Sequence, residues 1–215
     1  MKKFITCLFV ATFVLSVSAD LIITEVVDGT LSGGLPKAME ICNTGSTSVD
    51  LSIYEVARYS GSATSASLVE ALAGSLGAKQ AYTLCLASHA TAFEDVWGMA
   101  PDGNNTAILG NGDDPYAIRL VSDSSLVDLY GVIGTDGSGE VWEYLDSWAK
   151  RSTTILTAND TFNSDNWTYG GANAMDGFDA AQIKAAVPGM GIYEQIPEPA
   201  IFGLIGLALF FFRRK

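Results

Sequence analysis

The 215-residue chain has a single histidine, His89, in the stretch LASHATAFEDVW. A lone imidazole with scattered serines and acids is the minimum a Ser/His/Asp hydrolase needs. No Gly-x-Ser-x-Gly turn exists to present a nucleophile. The expectation is therefore a surface histidine and no enzyme, with an exported hydrolase of unrecognised site as the alternative. Zinc wants several imidazole or thiolate ligands. The histidine and two well-separated cysteines, Cys42 and Cys85, supply too few. Hard oxygen ligands are more plentiful. DGNNTAILGNGDD, residues 102–114, offers Asp102, Asn104, Asn105, Asn111, Asp113 and Asp114. Such a set suits calcium, although the spacing is not that of an EF-hand. The expectation is a solvated turn without a cofactor, and Asp102, Asp113 and Asp114 are the weak calcium candidates. No Gly-x-x-x-x-Gly-Lys loop is present for phosphate.

The chain termini say where this chemistry would take place. MKKFITCLFVATFVLSVSAD starts with two lysines, runs apolar from Phe4 to Val17, and ends in small residues. This is the pattern of a signal peptide over 1–19, cleaved between Ala19 and Asp20. Cys7 leaves with it. At the other end, Ala200 to Phe212 is a 13-residue apolar run fenced by Pro197-Glu198-Pro199 and Arg213-Arg214-Lys215. As a helix it reaches about 20 Å, short of a hydrocarbon core of about 30 Å. Pro199 fits a first helical turn, and the terminal basic cluster holds the end on the cytoplasmic side. Lys2 and Lys3 do the same at the start. The segment between them is then exported. A permanently anchored single-pass membrane protein is the alternative to a processed one.

Setting aside Glu198 and the five lysines and arginines at the two ends leaves residues 20–196 with 23 acids against 7 bases. Their net charge is about −16, against −12 for the whole chain. A domain so acidic lacks the basic stripe that nucleic acid requires. Its 177 residues are enough for one domain with a proper core. Cys42 and Cys85 sit in strand-like runs in an oxidising compartment. They would form either a disulfide or two buried thiols.

The elements that must position these groups are short strands between turn residues. LIITEVV (21–27) reads as a strand ended by Asp28-Gly29. KAMEICN alternates Ala38, Glu40 and Cys42 against Met39 and Ile41. Residues 48–60 read as strand, corner, strand. SLVEAL and QAYTLCLAS flank an expected turn over 73–79, and 115–134 reads as a hairpin. Helical turns are expected near 89–99 and 178–186. This pattern predicts an all-β sandwich with a core containing Ile23, Ile41, Tyr54, Leu84, Ile118, Leu120 and Leu129. Trp142, Tyr144, Trp148, Phe162, Trp167 and Tyr169 read as the closing end of that core, with a sugar-stacking platform as the other option. VPGMGIYEQI (187–196) reads as a spacer following a domain over 20–186.

Two resemblances come from these residues. Pro-Glu-Pro, a short apolar segment and an Arg-rich end resemble the PEP-CTERM sorting signal of bacterial envelope proteins, here residues 197–215 with a membrane segment at 200–212. The family pattern often has Val before Pro-Glu-Pro where this chain has Ile196. The resemblance implies an exosortase-type membrane transpeptidase as partner, with Pro197, Glu198 and Pro199 as recognition residues. Arg213 and Arg214 would act as the stop-transfer signal. The strings LIITEVVDG, PKAMEICNTGSTSVDLSIYEVARY, LAGSLGAKQAYTLCLAS, NGDDPYAIRL and LVDLYGVIGTDG, in this order, resemble the lamin-tail domain over about 20–170. That resemblance implies an immunoglobulin-like β-sandwich that binds or supports and has no catalytic residues. Together they imply an exported surface or matrix protein, held at the inner membrane as a precursor, with extracellular polysaccharide as a candidate partner.

Overall fold

Alternating apolar residues over Leu21–Leu31 (β1) and Leu35–Asn43 (β2) bring the two strands together as an antiparallel hairpin, with Ile23 opposite Ile41 and Val26 opposite Met39. The computed structural model describes residues 21–193. Asp28-Gly29 does not end β1, contrary to expectation. The strand continues through an irregularity between Asp28 and Leu31, and the chain reverses at Gly33 and Gly34, both at positive φ. Gly29 serves close approach instead. A Cβ there would lie 2.4 Å from the Leu35 carbonyl oxygen.

The hairpin seeds a six-stranded sheet. Ala81–Cys85 (β7) pairs with β2, and Gly103–Asn104 (β8) lies parallel beyond it. On the other side Trp148–Arg151 (β11) pairs with β1, and Trp167–Tyr169 (β12) forms the edge. A second, antiparallel sheet has Tyr54–Arg58 (β4) between Leu68–Ala71 (β5) and Tyr116–Leu120 (β9), with Leu126–Tyr130 (β10) outermost. The 115–134 hairpin forms as expected. Residues 73–79 are more than a turn. They contain Ser75–Leu76 (β6), which pairs with Val49–Asp50 (β3) and carries the chain from one sheet to the other. The helical turns Ala90–Trp97 (α1) and Ala180–Ala186 (α2) lie on the outer face of the larger sheet.

The two sheets face each other as an immunoglobulin-like β-sandwich. Ile23, Ile41, Leu84, Tyr54 and Ile118 are buried between them, and Leu129 is buried in an adjoining cluster. Leu120 is half-buried at the rim. Tyr130 lies at the centre of one end. Its ring meets Trp142, Tyr144, Phe162 and Trp167 edge-on, at centroid distances of 4.7–6.2 Å. Its hydroxyl donates to the Trp142 carbonyl at 2.5 Å. Trp142, Tyr144 and Trp167 are buried, and Trp148, Phe162 and Tyr169 are half-buried. Trp142, Tyr144, Phe162, Trp167 and Tyr169 are the end of the core, whereas Trp148, opposite Val27, packs on the outer face of the larger sheet with the helices, contrary to expectation.

The domain also runs further than its expected limit at 186. Val187, Met190 and Tyr193 are buried, so 187–193 packs as a strap instead of starting the spacer 187–196.

A buried ion pair joins the sheets. The ladder between β1 and β11 covers Glu25 to Val27 and leaves Ile23 outside it. Asp128 of β10 accepts the Ile23 N–H at 2.8 Å, and Arg151 of β11 donates to the Ile23 carbonyl at 2.6 Å. The guanidinium also meets Asp128 at 2.5 Å and lies 4.7 Å from the Trp167 ring centre. Substituting Arg151→Met strands both a buried carboxylate and a backbone carbonyl. It is expected to cost about 3–5 kcal/mol in urea unfolding. An unchanged midpoint contradicts this account.

Candidate functional site

A buried polar row crosses the outer face of the larger sheet. Register places Lys150, Glu25, Glu40 and Thr83 side by side on β11, β1, β2 and β7. Glu25 and Glu40 are fully buried. Glu40 accepts from the Thr24 hydroxyl at 2.5 Å and from the Gly191 N–H of the strap at 2.7 Å. Neither carboxylate oxygen of Glu25 receives a hydrogen bond, and Lys150 Nζ stands 3.7 Å away. Burial, and then the charge of Glu40, push Glu25 up to about 8 against the pull of Lys150. Burial also raises Glu40, opposed first by the Thr24 hydroxyl. Glu25 therefore holds a proton at neutral pH, between Glu40 on one side and Lys150 on the other. Sequence reasoning placed Glu40 on a face with Ala38 and Cys42 but gave it no role. A glutamate on that small, apolar face was the available signal.

His89 is buried, not at the surface as expected. It precedes α1, and its Nδ1 accepts the Lys37 amide at 3.1 Å. Burial, then nearby Lys37, lower its proton affinity. Lys37 itself pairs with Asp28 at 2.5 Å. The imidazole thus stitches α1 to β2.

The acidic loop does not gather its carboxylates. Asp102 accepts from the Thr83 amide and hydroxyl at 2.8 and 2.9 Å, tying the loop to β7. Asp114 accepts from Arg58 at 3.1 Å and the Gly61 amide at 2.9 Å. Asp113 faces Ser138. Asn105 is buried and holds the Ala107 amide. Among the described residues no three His, Cys, Asp or Glu side chains converge as a metal-binding group.

Cys42 and Cys85 are not joined. Cys42 lies opposite Ala81 and Cys85 opposite Ala38, four residues apart along the β2–β7 ladder. That offset is about 13 Å, beyond the roughly 7 Å a disulfide spans. Burial raises the Cys85 thiol to about 11.

Residues 15–134, more than half the chain, match the family described as Lamin Tail Domain. The chain belongs to the lamin tail domain family. The match reaches from β1 through β10. Strands β11 and β12, which complete the larger sheet of this lamin tail sandwich, follow it. Residues 195–215 match the PEP-CTERM protein-sorting motif. No curated protein matches the chain. The motif makes this lamin tail protein an exported one, sorted at a membrane through recognition by an exosortase. Ala19, Asp20, Pro197, Glu198, Pro199, Arg213, Arg214, the expected signal helix and the 200–212 segment lie outside the described residues. Among the described residues no helix is long and apolar enough to cross a membrane.

Two measurements test these placements. Cys42 and Cys85 are expected to resist an aromatic disulfide reagent in the native protein and to react when it is denatured. A native disulfide in the intact mass contradicts the register. Calcium followed by chelator is expected to leave Tm unchanged. A chelator-sensitive Tm contradicts the separation of Asp102 and Asp114.

Proposed function

We propose that this lamin tail sandwich is itself the cargo: a non-enzymatic module delivered to the outer surface or extracellular matrix for structure or adhesion. The observation that supports this reading most is adjacency. The packed domain runs to Tyr193, and the sorting match begins at residue 195. Its polar groups also favour it. His89, Asp102 and Asp114, the side chains whose types suggest chemistry, are all engaged in holding backbone. The net charge of about −16 over residues 20–196 suits a hydrated, soluble surface and opposes adsorption to anionic ones. A neutral extracellular polysaccharide is a partner compatible with that charge. The exosortase cuts near Pro197-Glu198-Pro199, and the mature protein leaves its apolar tail behind.

Pro197→Ala combined with Glu198→Ala is expected to trap a full-length precursor in the inner membrane. Cell fractionation and intact mass read the result. Undiminished surface delivery, or a surface form that retains residues 200–215, counts against the proposal.

A further inference from the structure

The strap 187–193 connects the sandwich to the sorting motif. Only Val187, Met190 and Tyr193 are buried, while Pro188, Gly189 and Ile192 are exposed. Open cavities of about 500, 460 and 290 Å³ border it. The first runs past Gln80, Tyr82 and Asp102, the second past Trp97 and Met99, the third past Lys150 and Thr153. Its polar attachments reach the row of charges beneath. Gly191 donates to Glu40, and Lys150 donates to the Pro188 carbonyl at 3.0 Å. Trp97 Nε1 donates to the Val187 carbonyl at 3.2 Å, and the Tyr193 hydroxyl donates to Ser152 and Ile155 carbonyls. Glu25 completes the row with two oxygens that receive no hydrogen bond.

We infer that 187–193 is a latch over the Glu25–Glu40 pair, which lifts when both carboxylates are charged and so lengthens the chain between the sandwich and the sorting motif. A seated strap leaves Glu194 alone between the domain and the matched motif. Lifting it adds seven residues, up to about 25 Å of reach. The titratable groups facing Glu25 are Glu40 on β2 and Lys150 on β11. Glu40 also faces Lys150 and, from the strap, Tyr193. Tyr193 stays protonated, because burial raises it.

The sign follows from where the proton is held. The closed state keeps a proton on Glu25 up to about pH 8, and a solvated Glu25 loses it near 4.5. Below that lower value the two states bind it equally. Between the two values opening releases a proton, so the opening constant rises by up to about tenfold per pH unit. Above the upper value it levels off. The strap's Gly191 N–H donates to Glu40 and favours its charged form, so the sign is set by Glu25.

Hydrogen exchange of the full chain in detergent micelles tests the latch. Protection factors, each normalised to the unstructured exchange rate, are read over 187–193 between about pH 5 and 8. In the native protein they are expected to fall at least about tenfold across that range. In Glu25→Gln, which cannot ionise, they are expected to change less than about twofold. A flat native profile, or the native slope retained in the variant, overturns the latch. A carbon-13 titration of the native Glu25 carboxyl does not depend on the variant folding. A midpoint well above 4.5 supports the latch, and a midpoint at the ordinary glutamate value overturns it.

Discussion

Ile23 departs from the ladder that would bond it to β11, and the meeting of the two sheets depends on what replaces those bonds. Asp128 and Arg151 supply the missing acceptor and donor from different strands. They also bond each other, so a single buried cluster fixes β10 against β1 and β11. Burial raises Asp128 against the pull of Arg151. The remaining oxygen of Asp128 accepts the Asn159 amide, which brings the long connection after β11 into the same cluster. Replacing such a pair with apolar residues is often harmless elsewhere. Here it would leave the backbone of Ile23 without partners, and each buried unpaired group costs about 1–3 kcal/mol. The aromatic end of the core around Tyr130 lies beside this cluster through Trp167.

The outer face of the larger sheet poses a different problem. Its apolar half is covered by α1 and α2 through Phe93, Val96, Trp97 and Ile183. Next to it lies the row of Lys150, Glu25 and Glu40, whose burial is unfavourable wherever charge is not matched. The strap closes over that row. An element carrying the chain toward its sorting motif is thus seated on the least comfortable part of the sheet.

Much of the fold was legible because strands and turns follow local rules. Residues 48–60 show it well. Asp50 bonds the Ser52 amide, which makes the corner that separates β3 from β4. The 115–134 hairpin and both helical turns were equally local. Other features were not. Asp28-Gly29 has the composition of a turn, yet Gly29 is there because Leu35 packs against it. VPGMGIY has the composition of a spacer, yet Tyr193 and Met190 find apolar sites on the sheet. His89 looked like a surface residue because nothing in its neighbours in sequence reveals Lys37, 52 positions earlier.

The sequence by itself determined how the protein is delivered, since a sorting motif is read as a linear string of proline, apolar and basic residues. It also determined the all-β character, since period-two alternation is a property of each strand alone. Tertiary structure alone decided which charges share a site. Lys150, Glu25 and Glu40 come from three strands, and only the register between those strands makes them neighbours. It likewise decided that Cys42 and Cys85 stay apart and that the acidic loop does not gather its carboxylates. The physical reason is one of range: propensity acts over a few residues, whereas desolvation and charge pairing depend on distances that the chain acquires when its sheets close.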